Sequence, residues 1–520
     1  PVVSVKQGLL MMLAAMMIVW TAGCSPQSGD GALPSKNAPE EQTLTIGLQT
    51  GLETFDFQNT NSNYNAAILV NMFDSLFYKN AKGEVLPKLV DTYEQKNDVT
   101  WHFALKHGIK FHNGDDLTAK DVKFSVERVA KDPKLSQYSN FKQITEVKIL
   151  DDYSFDIVTD GPDPILLNQL SSQAVSIFPK QYIDQVTFDG FLKNPVGSGL
   201  YQLLENIKDD RLVLKKFDAY FEKTDTVWDK VVFRKIPETS TRVGELLTGG
   251  IDMAELIPPA EWDRISNNKG TALLESDSTR VMSWMIRTTP GTPTADVRVR
   301  QAIDYAIDDK TISERIFKGK AAPMRTLLMP GMQGADTSLY NAYRYDLAKA
   351  KQLLREAGYS QEGPEITIQA PQGRYVLDGD VTQLAAGMLQ QAGFKVKMEL
   401  MENSRYQEIS SNGKNKEMIM LGRVNSSFDA SNSMKYFDSN SNKGQMDYSN
   451  PKVDELLKKA AVNMNLKERD EQYKQIQQIV ADEVPYIYMY NEKYFTGVRD
   501  SIDFKPRIDQ MYYVKDIKKK

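Results

Sequence analysis

Between Trp101 and Arg128 the chain reads WHFALKHGIKFHNGDDLTAKDVKFSVER, and its apolar positions fall into two alternating runs. Trp101, Phe103 and Leu105 form the first, Ile109 and Phe111 the second. Alternation at period two turns one side of an extended strand toward a core, so both runs predict strands. Gly108 separates them, and Asn113-Gly114 is a turn dipeptide. Thr118 with Asp121 three residues later is the start of a capping box, and Val122, Val126 and Val129 give the helix beyond it one apolar stripe.

The same reading extends in both directions. Leu44, Ile46 and Leu48 alternate as a strand, and Ile68, Met72 and Leu76 predict an amphipathic helix over about 65–77. Strands are expected around 147–149 and 155–157, over 213–220 and over 231–236, with a helix over 241–247. Asp346 caps a helix whose stripe is Leu347, Ala350, Leu354 and Ala357, and Gly358 ends it. A strand over 365–370, a helix over 380–392 closed by Gly393 and a strand over 394–400 follow. That strand–helix–strand order predicts a small α/β lobe with parallel pairing. Asn450-Pro451 supplies a cap and a first-turn proline, helices run on to about 482, and 485–490 is an aromatic strand. The chain ends in short strands and a lysine triplet, the triplet reading as a frayed, solvated tail.

The string from Trp101 to Arg128 resembles the signature of the family 5 extracellular solute-binding proteins, the peptide-, dipeptide-, nickel- and opine-binding receptors of ABC importers. Asn194-Pro-Val-Gly-Ser-Gly-Leu-Tyr201, Gly250-Ile-Asp-Met253, residues 296–308 and residues 345–359 resemble further stretches of that family, so the likeness covers roughly 42–510. It implies an α/β, two-lobed periplasmic-binding-protein-like fold of type II, with an extra subdomain in the first lobe and a cleft between lobes joined by two crossing strands. The implied division is 43–77, 187–284 and 491–520 for the first lobe, 78–186 for the extra subdomain and 285–490 for the second lobe. It also implies a monomeric binding protein, not an enzyme, that takes a peptide or other small molecule and works with ABC permease and ATPase subunits. Chelated nickel, an opine or sugar-phosphate conjugate, glutathione and a signalling peptide are the alternative cargoes.

Length and charge narrow this further. A chain of 520 residues is too long for one core. A net charge of −5 argues against nucleic acid as a partner. Lys6 and the apolar run 8–19 form an export leader too short to span a membrane comfortably. Thr21-Ala22-Gly23-Cys24 resembles a lipobox, which makes 1–23 a signal peptide, Cys24 a lipidation site on the outer membrane face, and 24–42 a flexible tether. Cys24 is the only cysteine, so neither a disulfide framework nor a thiolate metal site is expected. The three histidines, His102, His107 and His112, crowd into the opening stretch, with His107 on the opposite side of an unbroken strand. No metal, cofactor or Ser–His–Asp arrangement is expected from them. Ser198 lacks the glycine two positions earlier that a nucleophile elbow needs, since Val196 stands there.

Candidate ligand contacts come from Leu421-Gly-Arg-Val-Asn-Ser-Ser-Phe-Asp429. In the peptide receptors this stretch carries a Trp that lines the cleft and an Asp that pairs with the peptide α-amino group. Here Arg423 stands at the Trp position and Ser426 at the Asp position, while Asp429 falls on a second acidic position that is structural in many relatives. Arg423, Arg374 and Arg405 offer planar cationic donors suited to an anion. Tyr375, Trp284, Asn425 and Ser426 are expected wall residues, and Phe55 lies where the family has a turn opening onto the cleft.

Overall fold

A computed structural model describes residues 41–520. The leader, Cys24 and nearly all of the tether lie outside the described residues. A seven-stranded sheet organises the first lobe, in the order Thr271–Ser276, Tyr494–Arg499, Met253–Ala254, Thr43–Leu48, Lys230–Lys235, Arg211–Lys216 and Tyr201–Ile207. Thr43–Leu48 is its centre, parallel to Lys230–Lys235 with Leu44 opposite Val231 and Ile46 opposite Phe233, all four buried. A six-stranded sheet organises the second lobe: Ala322–Pro323, Tyr486–Asn491, Arg280–Ile286, Met418–Val424, Glu365–Pro371 and Lys395–Met401. The chain crosses between these sheets twice, from Ser276 to Arg280 and from Asn491 to Tyr494. Both crossings are short, as a hinge between two bodies requires.

The extra subdomain is a four-stranded antiparallel sheet, Val90–Asn97, Thr100–Leu105, Ser154–Thr159 and Ile144–Asp151, covered by the helix Ala119–Lys131. The capping box forms as the sequence predicts, with the Thr118 N–H donating to Asp121 Oδ2 at 2.8 Å. Val122, Val126 and Val129 are fully buried. Arg128, which closes the opening stretch, forks onto Asp56 at 3.0 and 2.8 Å and onto Gln58 Oε1 at 2.7 Å. It thereby ties the subdomain helix to the loop that carries Phe55.

Two expected elements take another form. Ile109 and Phe111 are buried but sit in a tight loop, where one bridge pairs Lys110 with Asp116 and the Leu117 N–H returns to the Ile109 carbonyl at 2.9 Å. The helix predicted over 65–77 runs only from Asn63 to Leu69. The carbonyls of Asn71 and Met72 leave the helical ladder for the 194–201 loop, accepting from Tyr201 N at 2.9 Å and Gly199 N at 2.8 Å. Only glycine allows that approach: a Cβ on Gly197 would stand 2.0 Å from the Met72 carbonyl oxygen, and one on Gly199 would stand 2.4 Å from that of Asn71. Nor is the end of the chain a frayed tail: Lys518–Lys519 pairs with Ile502–Asp503, and Val514 and Ile517 are fully buried.

The parallel pair is present. Glu365–Pro371 runs alongside Lys395–Met401, joined by the helix Asp378–Ala392, whose end is turned by Gly393 at φ +108°. The aromatic strand Tyr486–Asn491 is buried along its whole length beside Arg280–Ile286.

Candidate ligand-binding site

A cavity of about 600 Å³ lies between the lobes. Its walls come from residues 57–77 of the first lobe, from 78–88 and 137–174 of the subdomain, from 424–435 of the second lobe and from 509–515 near the C-terminus, and Thr279 of one crossing segment also lines it. The lobes also touch through two glycine turns. A Cβ on Gly83 would meet the Phe428 ring at 3.0 Å and the Gly331 carbonyl oxygen at 3.2 Å, and both glycines have positive φ, +83° and +90°.

The second lobe presents its loop 425–429 to this space, and the loop is held from behind. Asn425 is buried and donates Nδ2 to the Asp429 carbonyl and to Ser433 Oγ, both at 2.9 Å. Asp429 caps the helix Ala430–Met434 and receives the Arg469 fork at 2.8 and 2.7 Å, with neither side chain more than 2% exposed. Phe428 adopts left-handed backbone at φ 59°, an unfavourable conformation for a bulky residue that these bonds hold in place. Asn425 and Asp429 therefore shape the loop, and Ser426 is the member of that pattern that lines the cavity.

The other expected contacts lie elsewhere. Arg423 donates to the Tyr486 hydroxyl at 2.8 and 3.2 Å and stacks 4.1 Å from the Tyr436 ring centroid. Arg374 donates to Asn403 Oδ1 at 3.0 Å and leans over the rings of Tyr375 and Tyr406. Tyr375 is buried with its hydroxyl 3.4 Å from that of Tyr406, and Arg405 is exposed on the helix Asn403–Ser411. Trp284 is fully buried with Nε1 directed at Met489 Sδ, and Phe55 belongs to the first-lobe core. None of these six side chains lines the cavity.

Charged groups that local sequence pattern did not single out do line it: Asp74, Lys79, Lys88 and Lys515. Asp74 is buried, accepts from Ser198 Oγ at 3.2 Å and from the Tyr220 hydroxyl at 3.4 Å, and burial pushes its carboxyl up to about 6. Lys88 is paired with Glu222. Lys79 donates to Ser171 Oγ at 2.8 Å, and burial pushes it down to about 8.

The histidines are engaged within the protein. His112 accepts from Gly197 N on Nδ1 at 3.1 Å and meets the Gly199 carbonyl through Nε2 at 2.9 Å, so neither ring nitrogen is available to Ser198. His102 is paired with Asp156, and no group of three or more His, Cys, Asp or Glu is arranged to hold a metal ion among the described residues.

Residues 84–445 match the bacterial extracellular solute-binding proteins, family 5 Middle. The chain is 26% identical over 486 residues to the glutathione-binding protein GsiB of Salmonella paratyphi A, covering 91% of this chain and 93% of that one. It is 27% identical over 537 residues to the dipeptide-binding protein of Escherichia coli K12, covering 96% of each. The substrate-binding protein CtaP of Listeria monocytogenes superposes with a TM-score of 0.81 at 21% identity, over 92% of this chain and 99% of that one. Most of the chain thus matches this family and the two-lobed fold encloses a cavity, so the protein belongs to the family 5 extracellular solute-binding proteins and is a binding protein, not an enzyme.

Proposed function

We propose that this protein is the substrate-binding lipoprotein of an ABC importer, which encloses a peptide or peptide-like small molecule between its lobes and hands it to a membrane permease. The observation that carries this reading is the interlobe cavity of about 600 Å³, within the size range of sites for small organic ligands. Its subdomain wall is rich in side-chain amides, among them Gln137, Asn140, Gln143, Asn168, Gln169 and Gln173. An amide donates and accepts, as a peptide backbone does. The side-chain nitrogens of Gln137, Asn140 and Gln143 are held by neighbours within the protein, which leaves those of Asn168, Gln169 and Gln173 to meet a peptide main chain. Nε2 of Gln173 is buried without a partner, a donor that a ligand carbonyl would satisfy. Because Ser426 replaces the amine-pairing carboxylate, the reading assigns recognition to the peptide backbone rather than to an α-amino group.

Titration of the ligand-stripped chain with a random tetrapeptide pool tests it. Saturable heat in calorimetry is expected, and no heat at millimolar pool concentration would overturn the reading. The proposed anchor is a diacylglyceryl group on Cys24, with 24–42 as tether and the protein acting as a monomer. Cys24→Ala should move the protein from the detergent phase to the aqueous phase on detergent partitioning, and unchanged partitioning would remove the lipid anchor from the account.

A further inference from the structure

Two turns from opposite lobes meet directly, and each is braced from within its own lobe. In the subdomain, Asn80 Oδ1 accepts from Lys82 N at 2.9 Å and from Glu84 N at 3.0 Å, while Gly83 N returns to the Asn80 carbonyl at 3.0 Å. Arg507 pins this turn to the C-terminal segment, donating from Nη2 to the carbonyls of Lys79 at 2.9 Å and Asn80 at 3.2 Å. Arg507 is itself held by the Asp509 carboxylate at 2.8 and 2.6 Å. In the second lobe, Gln333 N donates to the Phe428 carbonyl and Ala430 N to the Gln333 carbonyl, both at 2.9 Å. That pairing makes the 331–334 turn and the 425–429 loop one body.

The two bodies interlock in both directions. The Phe428 ring packs against Gly83, and the Lys82 carbonyl faces Gly331, where a Cβ would stand 3.1 Å from its oxygen. Gly108, in the same subdomain at φ +77°, meets nothing within 4 Å, so the crowding at Gly83 belongs to the contact and not to the turn. Phe428 is buried and also lines the cavity, so one residue touches the solute's space and the opposite lobe at once. Its braced left-handed backbone holds the ring across the seam at an unfavourable φ of 59°. The contact is made of protein groups alone, so it favours the closed arrangement whatever solute is added to it.

We propose that Phe428, Gly83 and Gly331 form a latch that holds the lobes together, so that side-chain bulk at these three positions sets the share of closed molecules before a solute binds. The latch goes beyond the peptide reading and does not depend on what the cavity takes up. A solute binds more tightly to a protein whose closed form is already populated than to one it has to close, so the latch also scales affinity.

Small-angle X-ray scattering of the full, ligand-stripped chain tests the latch through the radius of gyration. Gly83→Asp keeps the left-handed turn, which Asp tolerates, and drives a carboxylate against the Phe428 ring and the Gly331 carbonyl. It should raise the radius of gyration above the wild-type value. Gly108→Asp adds the same charge at a similar φ in open space and should leave the radius unchanged. Phe428→Gly removes the ring, suits the positive φ and should open the lobes as Gly83→Asp does. Should either latch variant fail to fold, the other carries the test. A wild-type radius in the folded variant, or an equal rise in Gly108→Asp, would overturn the latch. The tetrapeptide pool separates this result from the peptide reading. With the latch broken by Gly83→Asp, affinity in calorimetry should fall by the factor by which the closed share falls. Undiminished affinity at a larger radius would overturn the latch, whereas no heat from wild type or variant would overturn the peptide reading alone and leave the scattering result to decide the latch.

Discussion

Asp429 shows how a side chain can occupy an expected site position and have its chemistry directed away from the ligand. Both its oxygens are engaged by Arg469, and the pair is sealed from solvent. Removing one partner of a buried pair strands the other charge, so Asp429→Ala should cost about 3–5 kcal/mol in urea unfolding. A loss below about 1 kcal/mol would contradict that role. The position and, through the family resemblance, its structural character were legible in the sequence, but the partner was not, because Arg469 lies forty residues away on another helix. Lys515 was hidden in the same way, meeting Glu222 only through the fold. His112 adds a pH dependence whose sign follows from its burial. Its folded value of about 4 lies below the ordinary 6.5, so between those values the unfolded chain takes a proton that the native chain refuses. The stability it contributes is complete above pH 6.5 and is lost as pH falls toward 4. Asp74 and Glu255, pushed up by burial to about 6 and about 7, act in the opposite sense, since the native chain takes their protons first. The comparison with His112→Gln separates these: the gap in unfolding free energy between wild type and variant should narrow from pH 7 to pH 4.5. A constant gap would contradict the assignment.

At the scale of elements, what the chain encodes locally was readable and what tertiary contacts impose was not. The caps at Thr118, Asp346 and Asn450, the αL ending at Gly393 and the parallel strand pair all follow from residues within a few positions of one another. The expected helix over 65–77 is cut short because distant backbone from 199–201 takes the carbonyls that would have continued it. Ile109 and Phe111 alternate like strand residues, yet the loop they form answers to Asn113-Gly114 and to the His112 N–H donating to the Gly197 carbonyl at 2.8 Å. Asn450 offers a local test. Its Oδ1 accepts from Lys452 N at 2.9 Å and Val453 N at 3.3 Å, and its Nδ2 donates to Glu483 Oε1 at 2.9 Å. Asn450→Ala should therefore destabilise by about 1–2 kcal/mol in urea unfolding, at the upper end for a lost N-cap. An unchanged midpoint would mean that the cap is not what holds Pro451–Val462 in place.

The two lobe sheets are joined by two short crossings, with the four-stranded subdomain added to the first lobe, a cavity at the seam and a glycine contact between the lobes. Ligand binding and lobe closure are coupled in such an arrangement, because a solute touching both lobes binds the closed form better than the open one. Ser426 is the point at which that coupling can be blocked without disturbing a core, since it is exposed to the cavity on a loop whose geometry is set by Asn425, Asp429 and Arg469. The most direct measurement is mass spectrometry of the small molecules released on denaturing gently purified wild-type protein and the Ser426→Trp variant side by side. The account predicts peptide-like species from the wild type and their loss from a variant that still folds. The same species retained in equal amount by both proteins would place the ligand outside this cavity and contradict the account.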